Sequence, residues 1–336
     1  MLFQDTFGID LGSTTAKVYS LKKDEIIIEK NMIAIRNNED ILAVGNDAYE
    51  MYEKTPRNIL VHSAVSAGMI ADIANVEMIV QTLLHRINPH PGQRPLLYFA
   101  VPTDMTEIEK RAYYAIAGGK TRVLLVEKPI ADAIALGVPI MKTKGSLVVN
   151  IGGESTELSV IADQRVIISK VIKFGGHHLD EAICNEVRKR TNTHISYRTA
   201  TRLKNALADF GNNNKEARKI VGIDSITGLP KTEIVTATLV NHSIREVFNR
   251  IVTELKVFLE RTPPQVRDAI IADGIYLTGG TTQINDLSTF LTEQLNCRIR
   301  ISSIYEMATI NGLKEIINHK TLHRWAFTAK GKVRKL

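Results

Sequence analysis

The chain has 336 residues, 44% hydrophobic and 24% charged, a balance that supports folding and excludes disordered and fibrous classes. Its net charge of +7 is concentrated at one end: six basic residues and no acidic one lie between Lys320 and Leu336, and the rest carries 37 basic against 36 acidic residues. A near-neutral body excludes nucleic acid as a partner, and no run approaches the ~20 apolar residues of a membrane helix.

In chain order, the first signal is Phe7–Ser20, FGIDLGSTTAKVYS: a short apolar strand, an Asp, a Gly turn with hydroxyl residues, and an alternating strand from Lys17. Ile26, Ile27 and Ile28 read as a buried strand of the same sheet. The segment His85–Pro95, HRINPHPGQRP, carries prolines and a Gly and lacks a bulky apolar pair. A helix is predicted over Glu107–Ala117, after the cap region Thr103-Asp104. Val148–Val160, VVNIGGESTELSV, then repeats the opening pattern, with Asn150 matching Asp10 and Gly152 matching Gly12 at an offset of 140 in both cases. Further helices are predicted at Leu179–Arg190, Ala200–Ala208 and Asn241–Arg261, and a third strand and Gly turn at Gly274–Gln283, GIYLTGGTTQ. The class is α/β, with mixed sheets covered by helices in two halves that begin alike.

Gly hairpins with neighbouring hydroxyls suit an anion, because backbone N–H groups approach it without obstruction by a Cβ. A polar residue ending each entering strand suits the waters of Mg²⁺. The candidate cradle is Gly12, Ser13, Thr14 and Thr15, with Gly152, Gly153, Glu154 and Ser155, and Gly279, Gly280, Thr281 and Thr282. His177, His178 and Cys184 fit no four-ligand zinc spacing. Asp180 and Glu181 are expected in the first turn of their helix, serving its dipole.

These stretches resemble the actin, sugar-kinase and heat-shock chaperone ATPase superfamily, and within it the MreB rod shape-determining bacterial actins. FGIDLGSTTAKV resembles the first phosphate loop, VVNIGGESTELSV the second, GIYLTGGTTQI the adenosine-side loop and VEKPIADAIALG the helix connecting the halves. The MreB resemblance rests further on GGHHLDEAI, YRTATRLK, TGLPKT and LERTPPQVRDAIIADGIYLTGG, and runs from Phe7 to about Gly312. It implies a two-lobed actin-like fold around a nucleotide cleft. Domain I is expected over 1–141 plus 312–336 and domain II over 142–311, with a small subdomain at about 178–240.

The resemblance implies ATP or GTP with Mg²⁺, and Asp10 holding the metal through its waters. It places Thr201 and Lys204 near the adenine and ribose. It implies filaments of this chain, contact with MreB paralogues and the cell-wall (peptidoglycan) synthesis machinery, and a role in cell shape. With only Cys184 and Cys297 and no basic-then-apolar leader, the chain is expected in the cytoplasm, at the inner face of the membrane. The basic tail (Lys320, Arg324, Lys330, Lys332, Arg334, Lys335), with Trp325 and Phe327, is read as a solvated end or a peripheral membrane contact.

Departures from the family pattern cluster at the catalytic positions. Asn150 stands for the second metal-side Asp, Lys128 for the water-activating Glu that follows Glu127, Glu154 and Thr281 for glycines, and Thr201 for a Glu. A protonated Lys cannot accept a proton, so ordinary hydrolysis is not expected. Two readings stay open. In one, Lys128 reaches a phosphate or pairs with Glu154 or Asp10, and nucleotide binds, weakened, and is hydrolysed slowly or not at all; in the other, the site is a filled relic. The functional alternatives are a filament protomer and a non-polymerising pseudo-ATPase adaptor.

Overall fold

The structure is a computed structural model describing residues 5–328 and 331–332, apart from 38, 67, 68, 71, 90–94, 118–120 and 212. Part of the 85–95 segment thus lies outside the described residues. The chain divides into two compact units: Met1–Thr143 with Ile161–Ser169 and Glu306–Leu336, and Lys144–Val160 with Lys170–Tyr305.

The first unit is built on a seven-stranded sheet. Its order is Gly331–Lys332, Ala326–Thr328, Arg122–Glu127, Leu96–Val101, Thr6–Leu11, Thr15–Ser20, Glu25–Lys30. The last three strands are an antiparallel meander, and Leu96–Val101 and Arg122–Glu127 run parallel to the first. Two-residue alternation sorts the side chains by face. Phe7, Ile9, Leu11, Ala16 and Val18 join the core that contains residues of the helices Ile73–Ile87 and Glu107–Ile116. Gly8, Asp10, Lys17 and Tyr19 have the opposite parity. Tyr19 packs with residues of the helices Lys128–Ala135 and Ala308–Asn318. A Cβ on Gly8 would lie 3.0 Å from Ile317, so this strand needs Gly for that helix to sit close. The two helices also pack tightly: a Cβ on Gly312 would lie only 1.9 Å from the Ala131 carbonyl, and buried Thr309 donates to Asp132 at 2.6 Å.

Two expectations need correction here. Glu25–Lys30 is an edge strand with Ile28 44% exposed, so the isoleucine run is only partly buried. The segment from Lys320 is not simply a solvated tail. Lys320–Trp325 is a 3₁₀ helix, and Ala326–Thr328 pairs antiparallel with Arg122–Glu127 through Leu125↔Phe327 and Val126↔Ala326. The Trp325 indole donates to the Gln164 carbonyl at 3.3 Å. Apolar Ala326 and Phe327 outweigh the flanking basic residues because an unpaired sheet edge offers them both hydrogen bonds and burial. Lys330, Arg334 and Lys335 lie outside the described residues.

The second unit carries a five-stranded sheet in the order Arg165–Ile172, Thr156–Ala162, Ser146–Ile151, Ile275–Thr278, Ile299–Ile301, with part of its first two strands counted in the other unit. The helices Gly176–Thr191 and Ala237–Arg261 pack against each other. A three-stranded antiparallel sheet, Thr193–His194, Ala217–Asp224 and Pro230–Thr236, projects a hairpin. Helix Gly176–Thr191 starts three residues earlier than predicted. Asp180 and Glu181 are therefore its fifth and sixth residues, beyond the first turn, and the expectation that they serve the helix dipole there does not hold. Among the described residues no helix is long and apolar enough to cross a membrane.

Candidate functional site

The sequence-predicted residues gather in two clusters, one in each unit. In the first unit, the hairpin between Thr6–Leu11 and Thr15–Ser20 closes with Gly12 N–H donating to the Thr15 carbonyl at 3.0 Å, and a Cβ on Gly12 would lie 2.9 Å from that oxygen. The repeated hairpin does the same 140 residues later. Gly152 N–H donates to the Ser155 carbonyl at 2.9 Å. The offset seen in the sequence is thus a repeat of backbone geometry.

The half-buried first loop is held from outside. The Asn31 side chain donates to the Gly12 carbonyl at 2.7 Å, Asn31 N–H to the Thr14 carbonyl at 3.0 Å, and the Ser63 hydroxyl to the Ser13 carbonyl at 3.0 Å. With those carbonyls turned to protein partners, the loop is fixed in shape before any anion arrives.

Asp10 lies directly opposite Lys17 in the hairpin register. Lys17 Nζ donates to Asp10 Oδ2 at 3.1 Å, and Lys128 Nζ lies 3.5 Å from Asp10 Oδ1 and donates to the Leu11 carbonyl at 3.3 Å. Asp10, Lys17 and Lys128 are 4%, 3% and 7% exposed. Burial alone would raise the Asp10 pKa, but the two ammonium groups outweigh it and hold the carboxyl below its ordinary value. Lys128 is the first residue of helix Lys128–Ala135, followed by Pro129, a residue suited to a first turn. A cation at a helix N-terminus opposes the helix dipole by about 0.3–1 kcal/mol, and the pairing with Asp10 offsets that.

Of the partners weighed for Lys128, the first unit supplies Asp10. This arrangement is poorly suited to Mg²⁺. Each Asp10 oxygen already faces an ammonium, and a unit charge at 4 Å is worth about 4 kcal/mol at an effective dielectric near 20, here as repulsion of an incoming cation. In the second unit, Asn150 is half-buried at the end of Ser146–Ile151 and is a neutral amide. Asp10, paired in this way, does not fit a hydrated magnesium ion.

In the second unit, three loops meet at Gly152. Its carbonyl accepts from Gly176 N–H at 2.9 Å and from the Thr281 hydroxyl at 2.9 Å, and His177 N–H donates to the Gly153 carbonyl at 2.7 Å. A Cβ on Gly175 would lie 2.6 Å from the Gly152 oxygen, so backbone packs on backbone. Gly279 has φ 96°, and a Cβ there would lie 2.4 Å from the Ile151 oxygen. Thr282 donates to the Gly279 carbonyl at 2.6 Å, while Gly280 is exposed.

Lys204 Nζ reaches the Gly176 carbonyl at 2.8 Å and Asp180 at 2.7 Å, and the Thr201 hydroxyl donates to Asp180 at 2.9 Å. Thr201 and Lys204 are therefore linked through Asp180. Glu154 lies 3.8 Å from His177. His178 accepts from Gly175 N–H and stacks on Phe174, and the Cys184 thiol donates weakly to the Ile195 carbonyl. Among the described residues no His, Cys, Asp or Glu group could hold a metal.

Sequence reasoning missed Lys17 and Asn31 as parts of the site. The signal for Lys17 was available, since a four-residue turn after Asp10 brings position 17 opposite it.

The MreB/Mbl protein family model matches residues 4–324. The chain is 32% identical over 307 residues to cell shape-determining protein Mbl of Bacillus subtilis, covering 90% of this chain and 92% of that protein. It is 30% identical over 303 residues to cell shape-determining protein MreB of Escherichia coli, covering 87% of each. The crystal structure of MreB 5 of Spiroplasma citri bound to AMPPNP superposes with a TM-score of 0.90 at 25% identity, over 96% of this chain and 98% of that one. A MamK double helical filament gives 0.77 at 16% identity, over 94% and 99%. The fold is the actin-like ATPase fold, and the chain belongs to the MreB/Mbl family of cell shape-determining proteins.

Proposed function

We propose that this chain is a filament-forming actin-like protomer that binds ATP or GTP, organises cell-wall synthesis and cell shape at the cytoplasmic face of the membrane, and hydrolyses its nucleotide weakly or not at all. The observation that carries the hydrolytic part is Lys128, whose ammonium is held on buried Asp10 at the helix start where the family pattern places a water-activating carboxylate. An ammonium neither accepts a proton from water nor orients its lone pair for attack. Support for nucleotide binding comes from the relatives: Spiroplasma citri MreB5 was solved bound to AMPPNP and to ADP. The two Gly hairpins of this chain have the backbone closure such a ligand requires. On this reading, domain I spans 1–141 with 312–336 and domain II 142–311.

Self-association is supported by the MamK double helical filament and by an exposed apolar face on the hairpin of this chain. Val221, Ile223 and Ile234 lie on one side of the Ala217–Asp224 and Pro230–Thr236 ladder, with Ile226 81% exposed at its tip. Head-to-tail repetition of one contact without closure makes a filament.

Phosphate release by purified protein tests hydrolysis: the wild type is expected at least tenfold below Lys128→Glu with Asn150→Asp, and full activity in the wild type refutes the reading. Sedimentation and negative-stain microscopy with ATP test assembly. Polymer is expected, and its absence across salt and Mg²⁺ concentrations assigns the adaptor role.

A further inference from the structure

We propose that Asn31 is a positioning residue of the first phosphate loop, whose side-chain and backbone N–H groups turn that loop into a cradle for the nucleotide's phosphates. This rests on the nucleotide-binding reading above.

Three consecutive carbonyls of the loop are taken by protein donors. Asn31 Nδ2 donates to the Gly12 carbonyl at 2.7 Å and Asn31 N–H to the Thr14 carbonyl at 3.0 Å, while the Ser63 hydroxyl donates to the Ser13 carbonyl at 3.0 Å. In a planar trans peptide the N–H points opposite to the C=O. Holding the Gly12 and Thr14 carbonyls on Asn31 therefore turns the N–H groups of Ser13 and Thr15 away from it, so two donors of this half-buried loop share one direction. Backbone donors arrayed in this way suit a phosphate.

Asn31 is itself held from both sides. The preceding Lys30 N–H donates to Asn46 Oδ1 at 3.1 Å, and the carbonyl of the following Met32 accepts from Gly45 N–H at 2.8 Å. Reversing the Asn31 amide would set two acceptor oxygens 2.7 Å apart, so Nδ2 faces Gly12. That orientation leaves Asn31 Oδ1 buried with no donor among the described residues. A buried acceptor left unmade costs stability, and a residue serving stability alone has no need of one. Delivering a neutral donor to Gly12 does require it: a carboxylate here would set an acceptor against the carbonyl and a negative charge beside the phosphates. A phosphate brings no donor at neutral pH, so Asn31 acts through the loop and does not touch the nucleotide.

The test is calorimetric titration of the full chain with ATP in millimolar Mg²⁺ at pH 8 and pH 5.5, each variant compared with wild type at the same pH. Asn31→Ala is expected to bind at least tenfold more weakly at both. Asn31→Asp is expected to bind at least tenfold more weakly at pH 8 and to recover to within threefold of wild type at pH 5.5. Burial against a carbonyl raises the pKa of the introduced carboxyl, and its O–H then replaces the amide donor. A merely structural fault does not heal in this way. Circular dichroism melts show whether each variant is folded; either one alone decides if the other is not, and Asn31→Ser, too short to reach Gly12, stands in if neither is. Variants within threefold of wild type at pH 8 overturn the proposal, as does an Asn31→Asp deficit that is equal at both pH values. Both outcomes leave nucleotide binding standing. No heat with wild type and no displacement of a fluorescent ATP analogue overturns nucleotide binding and this inference with it.

Discussion

Lys204 and Asp180 form a buried ion pair at 2.7 Å, and the same ammonium caps the Gly176 carbonyl at 2.8 Å while Thr201 donates to the second Asp180 oxygen. Removing one partner leaves the other charge buried without compensation, at a cost of about 3–5 kcal/mol. Lys204→Met and Asp180→Leu are each expected to destabilise the protein by that order. The double variant is expected to cost well under their sum, because the stranded charge is gone. Urea denaturation of the four proteins measures the coupling, and additive costs would show that the pair contributes nothing specific.

Asp10 makes a pH-dependent contribution whose sign follows from its lowered pKa. Burial opposes ionisation, but Lys17 and Lys128 prevail, so the native carboxyl binds its proton less readily than the unfolded one. The stabilisation is present above the ordinary carboxylate value, near pH 4, and is lost as pH falls through the lower native value. Asp10→Asn should therefore melt well below wild type at pH 7, and the gap should close as pH falls below 4. A gap that stays constant between pH 7 and 3 would show that the carboxylate charge is not what stabilises this hairpin.

Two glycines with positive φ separate backbone strain from crowding. Gly137 has φ 71° with no atom within 4 Å of a Cβ, so Gly137→Ala is expected to cost only the left-handed penalty of about 1–2 kcal/mol. Gly279 has φ 96° with the Ile151 oxygen 2.4 Å from a Cβ, so Gly279→Ala must also displace a strand carbonyl next to the second Gly hairpin. It is expected to cost at least ~3 kcal/mol. Thermal denaturation ranks the two, and equal costs would mean that the third loop yields readily.

The exposed apolar side of the Ala217–Asp224 hairpin gives an assembly prediction. Ile223→Glu is expected to abolish sedimentable polymer while shifting stability by no more than ~0.5 kcal/mol, because Ile223 is 48% exposed in the protomer. Polymer that forms undiminished would move the contact to another surface.

Several of these features were legible in the sequence. The α/β class, the family and the doubled Gly hairpin were readable because each depends on local order: strand, polar residue, Gly turn, strand. The clustering of Asp10 with Lys128 was foreseeable as one option once Lys128 stood out as a departure. Lys17 was overlooked because reading residues loop by loop ignores what lies across a ladder. Asp180 was misread because Gly175 and Gly176 were taken as a turn, although Gly176 already begins the helix, where its small size lets it sit against Lys204 and Thr281. The end of the chain misled through composition: its charges dominate the average, while two apolar residues determine the pairing.

That pairing ties the carboxyl-terminal segment to the strand that leads into Lys128. Ala326 sits beside Val126, two positions before the lysine, so a cut ahead of Ala326 bares an edge whose far end holds the ammonium in place. A truncation there therefore perturbs the start of helix Lys128–Ala135 as well as the segment removed.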